Sequence, residues 1–326
     1  MRFSEFIGNQ DAADRLKKQI ISGKSFHAYI FDGAEGIGKK RLAYTFAQAL
    51  MCKNSVEGEP CEACAACKKV ASGNHGDIHY ITSDGSSIKD EQVEGLQEIL
   101  FSKPFDGDRT VLIIDKADTM TVRAQNRLLK TLEEPVAGVT LILLTEKISE
   151  LLPTITSRSI VIRLKPAEKD QIKEFLQRET GADEISAELA AAYSCGCPGK
   201  GIKLLEEEGF KARRARSINC AKALLEKATL AEFIEAMGED ISGKEDTLEF
   251  MEMMSFWYKD LLFIANGMSK EYIMNQYHYE ELADFYKKTD LKKICHIIEK
   301  LEETKYDIIM NVNINYALKN MYLEIN

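Results

Sequence analysis

The sequence predicts an α/β domain that is built on a parallel sheet and carries a phosphate-binding loop, followed by helical regions. Apolar, β-rich runs alternate with helical patterns through the first half of the chain, and the strand signal stops after Pro166. A glycine-rich loop follows the first of these runs and opens a helix, which is the context that a phosphate-binding loop requires. These observations favour a doubly wound sheet.

The predicted strands are nearly continuously apolar, as parallel strands are when crossover helices cover both faces. They run from Ala28 to Phe31, Ile78 to Thr82, Val111 to Asp115, Val139 to Thr145 and Ile160 to Leu164. We assign them to a first domain of residues 1–165.

Helical domains are predicted downstream. Amphipathic patterns such as Lys169 to Arg178 and Ala187 to Tyr193, broken at Cys197-Pro198-Gly199, favour a small domain over residues 166–208. Residues 209–326 carry apolar and aromatic residues at helical spacing without β-alternation, which predicts a third domain.

Composition and charge exclude several classes of protein. The 326 residues exceed what one hydrophobic core usually supports, and 45% hydrophobic with 29% charged residues is typical of a globular protein. A net charge of −9 argues against an isolated nucleic-acid binder, so any DNA contact is expected to be shared with partners. No signal-peptide pattern and no apolar run of about 18 residues is present, which predicts a cytoplasmic chain without a membrane partner.

The loop after the first strand reads G-A-E-G-I-G-K-K, and its candidate phosphate-binding residues are Gly33, Gly36, Gly38, Lys39 and Lys40. The glycines let backbone N–H groups converge on phosphate oxygens, and Lys39 supplies a point charge. A Ser or Thr hydroxyl usually ligates Mg²⁺ at the last position, whereas the ammonium of Lys40 cannot ligate a metal. The loop therefore predicts compromised Mg²⁺ binding and leaves ATP binding open.

The apolar strand that ends in Asp115 resembles the Walker B motif of phosphate-loop ATPases, in which the acid binds the metal ion. In active AAA+ ATPases a Glu usually follows this Asp and polarises the attacking water, but Lys116 follows it here. An ammonium cannot act as that base. We therefore expect no hydrolysis by this chain.

A family resemblance rests on the segment Val122 to Pro135, which fits the pattern A-x-N-x-L-L-K-x-L-E-E-P, and on Phe6 to Gln10 and His27 to Phe31. These segments resemble the bacterial clamp-loader subunits of the AAA+ class, in particular the delta-prime (stator) subunits of DNA polymerase III. The resemblance implies an AAA+ phosphate-loop core, a small helical lid and an all-α collar domain. It also implies a role in loading the sliding clamp onto primed DNA, with gamma/tau motor subunits and a delta subunit as partners.

The resemblance also implies roles for single residues. Leu151 to Ser159 is similar to the family's S-R-C segment, whose arginine reaches the nucleotide of the neighbouring subunit, so Arg158 is expected to act in trans. Ser159 stands where cysteine is usual. Thr145 falls at the polar sensor position, and Lys200 lies near the second sensor of the lid.

A cysteine cluster with the spacing C-x8-C-x2-C-x2-C follows the phosphate-loop helix and consists of Cys52, Cys61, Cys64 and Cys67. Four thiolates at this spacing are typical of a structural Zn²⁺ site, with free thiols or redox pairs as the alternative. The family carries an insertion at the same place, which supports the zinc interpretation for residues 52–67.

Other features have more than one interpretation. A basic run is typical either of a solvated helix face or of a DNA-facing patch, and it is formed by Lys211, Arg213, Arg214 and Arg216. The remaining cysteines lack metal-ligand spacing and are expected to pack in the interior; they are Cys195, Cys197, Cys220 and Cys295. Phe256 to Leu262 and Ile309 to Met321 resemble the family's oligomerising domain, although such aromatics equally form a domain's own core.

Other functions stay as alternatives. An active, ATP-hydrolysing gamma/tau-type motor subunit of the same loader would carry a hydroxyl at position 40 and an acidic base at position 116, unlike this chain. A phosphate-loop small-molecule kinase with a zinc insertion would need a metal ligand after Lys39, and none is found there.

Overall fold

A parallel sheet organises the first half of the molecule. The computed structural model describes residues 2–83, 85, 87–100, 104–226, 228–238 and 243–326, with only the backbone described for residues 97 and 98. The strands are β1 (Ala28–Asp32), β2 (Ile78–Ile81), β3 (Thr110–Ile114), β4 (Val139–Thr145) and β5 (Ile160–Arg163). They form one sheet in the order β2-β3-β4-β1-β5, and every neighbouring pair is parallel. Each predicted strand is confirmed to within one residue at its ends.

Helices make up most of the other regular structure in the described chain. In the first half they are α1 (Gln10–Ser22), α2 (Lys39–Met51), α3 (Ala65–Ala71), α4 (Asp90–Leu100), α5 (Val122–Glu133) and α6 (Pro153–Thr156). After β5 come α7 (Lys169–Thr180), α8 (Glu184–Tyr193), α9 (Pro198–Glu206), α10 (Phe210–Leu225), α11 (Leu230–Met237), α12 (Lys244–Ala265), α13 (Tyr279–Lys288), α14 (Leu291–Ile309) and α15 (Ile314–Ile325). Short 3₁₀ turns lie at Phe3–Glu5, Ala117–Thr119, Ile148–Glu150, Lys270–Tyr272 and Gln276–His278.

Both faces of the sheet are buried. Alternate strand residues such as Phe31 and Ile113 pack with Phe46 of α2 on one face. Their neighbours Ile30 and Leu112 pack on the other face, in the same cluster as residues of α4 and α5. This two-residue period across a sheet with helices on both faces confirms the predicted doubly wound α/β fold.

The chain divides into two compact units, residues 1–204 and residues 205–326. A further boundary at residue 165 and a lid over residues 166–208 stay predictions. The described part of the second unit is helical, and Phe256, Trp257 and Tyr258 of α12 are buried in its core. These aromatics therefore form the unit's own core. Within the described residues, no helix is both long and apolar enough to cross a bilayer.

Two arginines of the basic run have partners within the second unit. Arg213 forms an ion pair with Glu207, lies within 4 Å of Asp246 and Glu249, and has a side chain only 12% exposed. Arg214 donates a hydrogen bond of 2.8 Å to the buried Asn275. The expectation of a solvated or DNA-facing surface is therefore wrong for Arg213, and both side chains pair within the second unit.

A buried carboxylate joins two segments of the second unit. Asp260 of α12 is fully buried and accepts hydrogen bonds from the Met274 N–H at 2.8 Å and from the Asn275 N–H at 2.9 Å. Burial raises the pKa of Asp260, and these donors partly offset that rise. The carboxylate therefore satisfies backbone N–H groups of the segment around the buried Asn275.

Replacing Asp260 with Ala is expected to lower the free energy of unfolding of the second unit by about 2–5 kcal/mol, because buried N–H groups would lose their acceptor. Urea denaturation followed by the fluorescence of Trp257, the single tryptophan, measures this change. Asp307→Ala removes an exposed carboxylate from α14 and serves as the control, with an expected change within about 0.5 kcal/mol. Equal stability of the two variants would contradict the role of Asp260.

Candidate phosphate-loop site and metal centre

The phosphate loop connects β1 to α2 at the edge of the sheet where the strands end. The Gly33 N–H donates to the Thr145 carbonyl at 3.1 Å, which ties the loop to the end of β4. Gly36 has a φ of 74°, and a Cβ built on it would lie 2.7 Å from the backbone nitrogen of Lys200. The Gly199 N–H donates to the Gly36 carbonyl at 2.8 Å. The loop therefore touches the first turn of α9, and this close approach requires glycine.

The loop lysine is buried and held by the loop itself. Lys39 is 8% exposed, and its Nζ donates to the carbonyls of Gly33 at 2.6 Å and Ala34 at 3.0 Å. A Glu146 carboxylate oxygen lies 3.7 Å from the same nitrogen. The charge of Lys39 is therefore compensated without a ligand.

Tyr80 links Lys40, which stands at the position of the usual metal-ligating hydroxyl, to Asp115. The Lys40 ammonium lies 4.1 Å from the centre of the Tyr80 ring and donates to the Tyr80 hydroxyl at 3.1 Å. That hydroxyl donates to Asp115 Oδ2 at 2.5 Å. Burial, together with this hydrogen bond, raises the pKa of Tyr80, so the phenol keeps its proton.

The remaining predicted residues lie near the ends of β3 and β4 and at the start of α9. The Lys116 N–H donates to Asp115 Oδ1 at 2.9 Å, and Lys116 adopts a left-handed backbone with a φ of 52°. Thr145 is fully buried and donates to Asp118 Oδ1 at 3.1 Å. Lys200 lies in the first turn of α9.

A cavity of about 300 Å³ lies over the loop. Lys39, Lys40, Asp115 and Lys116 line it, together with Gly36 and Gly38. Apolar walls come from the N-terminal segment and from α7 and α9, and they consist of Phe6, Ile7, Phe175, Pro198 and Ile202. Thr145, Lys200 and Arg158 are not among the described lining residues. An apolar slot beside a glycine-rich loop, with lysines and carboxylates in its lining, has the character of a small-molecule pocket.

Arg158 lies away from this cavity, between α6 and β5. Its Nη2 lies 3.1 Å from a carboxylate oxygen of Glu133 at the end of α5, and its Nη1 donates to the Thr154 carbonyl at 3.1 Å. The side chain is 38% exposed. The guanidinium is thus oriented by neighbours and still accessible to solvent.

The cysteine cluster converges in space as its spacing predicts. The sulfur atoms of Cys52, Cys61, Cys64 and Cys67 all lie within 4.8 Å of one another. Sulfur atoms bound tetrahedrally to one Zn²⁺ at about 2.3 Å lie about 3.8 Å apart, and the Cys61–Cys67 sulfur distance is 3.9 Å. The donor set and its size therefore fit a tetrahedral metal ion.

Backbone N–H groups support the cluster. The Cys61 N–H points to the Cys52 sulfur at 3.3 Å, and the Cys64 N–H points to the Cys61 sulfur at 3.4 Å. Hydrogen bonds from the Cys64 and Ala63 N–H groups lower the pKa of Cys61 to about 6. Such donors stabilise thiolates, the form in which cysteine binds metals.

The other cysteines divide into two kinds. Cys197 and Cys220 are buried, as expected, whereas Cys195 and Cys295 are exposed, so the expectation of interior packing is wrong for these two. Cys195 lies in a turn and adopts a left-handed backbone with a φ of 52°.

Known proteins similar to this chain decide its family. Residues 8–168 match the family model of the DNA polymerase III delta subunit, and residues 208–323 match the model of the C-terminal part of that subunit. The DNA polymerase III subunit delta-prime of Bacillus subtilis is 30% identical over 312 residues, which cover 94% of this chain and 93% of the relative. The chain belongs to the DNA polymerase III delta-prime family. This membership confirms the resemblance found in the sequence.

Another subunit of DNA polymerase III is also similar to this delta-prime family member. The tau subunit of Bacillus subtilis is 27% identical over 301 residues, which cover 86% of this chain and 53% of the relative. Among solved structures, a gamma subunit-related protein of Thermotoga maritima is 17% identical with a TM-score of 0.47, covering 96% of this chain and 97% of that protein.

Some residues that shape the site were not predicted from the sequence. Tyr80, Glu146 and Glu133 hold Lys40, Lys39 and Arg158, respectively. Tyr80 carries the clearest signal, because it lies one residue before the end of β2 and β2 pairs with the strand that precedes Asp115. The carboxyl ends of adjacent parallel strands lie at the same edge of a sheet, so a residue at the end of β2 is expected to lie near Asp115.

Proposed function

We propose that this chain is the stator subunit of a bacterial clamp loader, which helps motor subunits place a sliding clamp on primed DNA in the cytoplasm. Membership of the delta-prime family supports this role. The proposed partners are gamma/tau motor subunits and a delta subunit, with the clamp and DNA reached through the assembled complex. A net charge of −9 fits a subunit that meets DNA in a complex rather than alone.

The Lys40–Tyr80–Asp115 contact carries the proposal that this subunit's own ATPase site is degenerate. An ammonium occupies the position of the metal-ligating hydroxyl, and both oxygens of Asp115 already accept hydrogen bonds. A Mg²⁺ ion about 4 Å from an ammonium would be repelled by several kcal/mol even at an effective dielectric constant of about 20. Lys116 cannot take a proton from an attacking water.

The isolated chain is therefore expected to show no ATP hydrolysis above background, with or without Mg²⁺. A phosphate-release assay on the purified chain measures this, with Lys39→Ala as the matched control for contaminating activity. Equal, background rates in both chains are the expected result. Hydrolysis that Lys39→Ala abolishes would instead identify an active motor subunit.

The position of Arg158 supports a role in trans. Arg158 comes two residues before β5 begins at Ile160, whereas the phosphate loop begins at Gly33, directly after β1. Because β1 and β5 are adjacent and parallel, these points lie at opposite edges of the sheet. A strand of this length spans about 13 Å at about 3.3 Å per residue. We propose that the guanidinium contacts the γ-phosphate of a neighbouring motor subunit.

Arg158→Ala is expected to lower the clamp- and DNA-stimulated ATPase rate of the assembled loader by about tenfold or more, because a charge that stabilises the transition state is lost. Arg158→Lys should recover only part of this rate, since it keeps the charge but not the planar fork. Arg178→Ala, which removes an exposed guanidinium from α7, is the control. An unchanged rate for Arg158→Ala in a fully assembled complex would contradict the assignment.

We also propose that the cysteine cluster holds one structural Zn²⁺. The support is the convergence of four sulfurs within 4.8 Å and the N–H groups directed at them. Structural Zn²⁺ sites are closed tetrahedra of four protein ligands, and four cysteine thiolates are one of the common sets. In this role the metal supplies cross-linking and no chemistry.

The purified chain is expected to contain about one zinc ion, and Cys64→Ser is expected to lose it, because three thiolates cannot close the tetrahedron. Elemental analysis of the purified protein gives the ratio. Cys295→Ser changes an exposed thiol outside the cluster and should keep the metal. A chain with no metal and four freely titratable cluster thiols would exclude the site.

A further inference from the structure

A carboxylate in the cysteine module, residues 52–67, accepts hydrogen bonds from the backbone of the N-terminal segment, residues 2–7. Glu59 Oε2 accepts a hydrogen bond from the Phe3 N–H at 2.8 Å, and its Oε1 accepts one from the Ser4 N–H at 3.1 Å. The Lys17 ammonium of α1 lies 2.9 Å from Oε1. This carboxylate raises the pKa of Lys17. One side chain therefore joins the module, the N-terminal turn and α1.

Further contacts extend the same interface. Glu62 pairs with Arg2 at 2.9 Å. A Cβ built on Gly58 would lie 2.9 Å from the Lys17 carbonyl, so the module packs directly against the backbone of α1. Gly58 has a φ of 78°, a conformation that glycine adopts without steric cost.

The segment that Glu59 holds forms one wall of the phosphate-loop cavity. Phe3 is fully buried, and the next residues Glu5, Phe6 and Ile7 line the cavity. Glu5 also pairs at 3.0 Å with Arg41 in the first turn of α2, whose guanidinium lies 5.7 Å from the centre of the Phe6 ring. The position of the Phe3–Glu5 turn therefore determines where the cavity wall of Glu5, Phe6 and Ile7 lies.

A metal in the cluster would fix the piece of chain that carries Glu59. Cys52 and Cys61 bracket residues 53–60, in which the described regular structure is a single bridge between Val56 and Glu59. Ligation of both cysteines would close this short loop and reduce its conformational freedom. The carboxylate would then meet the N-terminal turn at a small entropic cost.

From this geometry we infer that Glu59 is a positioning residue through which the metal centre holds the N-terminal wall of the phosphate-loop cavity. The inference rests on the proposed zinc site. It assigns the cluster a local task at the nucleotide pocket, in addition to stabilising its own loop. Loss of the metal and loss of the Glu59 carboxylate should have the same effect on the wall.

Hydrogen–deuterium exchange of the full chain tests this inference, with the segment of residues 2–7 as the reporter and α7 as the reference. Removal of the metal with a chelator is expected to speed exchange in the reporter by about tenfold or more, on the scale of one charge-assisted hydrogen bond. Glu59→Gln should do the same with its zinc content unchanged. Glu57→Gln, an exposed carboxylate in the same module, is the matched control and should leave exchange unchanged.

The outcomes separate the inference from the zinc proposal. Zinc content is measured first, and a metal-free chain would contradict both. A chain with one zinc whose reporter exchanges equally before and after chelation would overturn the coupling and leave the zinc site standing. Unchanged exchange in Glu59→Gln would exclude Glu59 as the link. Faster exchange in α7 as well as in the reporter would indicate general destabilisation and would also overturn the inference.

Discussion

The common direction of the strands is the constraint on which the site depends. In a parallel sheet all strands end at one edge, so the phosphate loop after β1, Asp115 after β3 and Thr145 at the end of β4 meet there. Residues that precede a strand, such as Arg158, reach the opposite edge. Burial of both faces fixes the register, because a slip of one residue would exchange the side chains of the two faces. The arrangement of the charged groups thus follows from the packing of apolar ones.

At the carboxyl edge the protein satisfies its own charges. Each oxygen of the Asp115 carboxylate accepts a hydrogen bond, and the Lys40 ammonium lies next to the phenol that donates one of them. Lys39 is compensated by loop carbonyls and Glu146. In phosphate-loop sites that bind a nucleotide with Mg²⁺, the metal ion and the phosphate oxygens perform these tasks. Here a ligand must displace existing contacts, which lowers the net free energy that binding can release.

The sequence predicted those parts of the fold that depend on local patterns. Continuous apolar runs defined the strands to within one residue, and the cysteine spacing defined the cluster. Contacts between distant segments had no such signal: Tyr80 meets Lys40 across 40 positions, and Glu59 meets Phe3 across 56. For the same reason the burial of Arg213 was missed, because its carboxylate partners lie on α12 as well as beside α10. The chemistry of a side chain limits which partners it can bind, and the packing of the fold determines which of these partners lies within reach.

Lys39 and Arg158, the two cations predicted to meet a phosphate, differ in how freely they can change partners. Lys39 is 8% exposed with two carbonyl acceptors, so releasing it would leave buried groups unpaired. Arg158 is 38% exposed, and its pair with Glu133 is of the solvent-accessible kind that contributes about 0–1 kcal/mol. Exchanging that carboxylate for a phosphate oxygen therefore costs little, while the neighbouring contacts already restrict the side chain. Of these two cations, Arg158 can change partners at the lower cost, and it lies at the sheet edge opposite the phosphate loop.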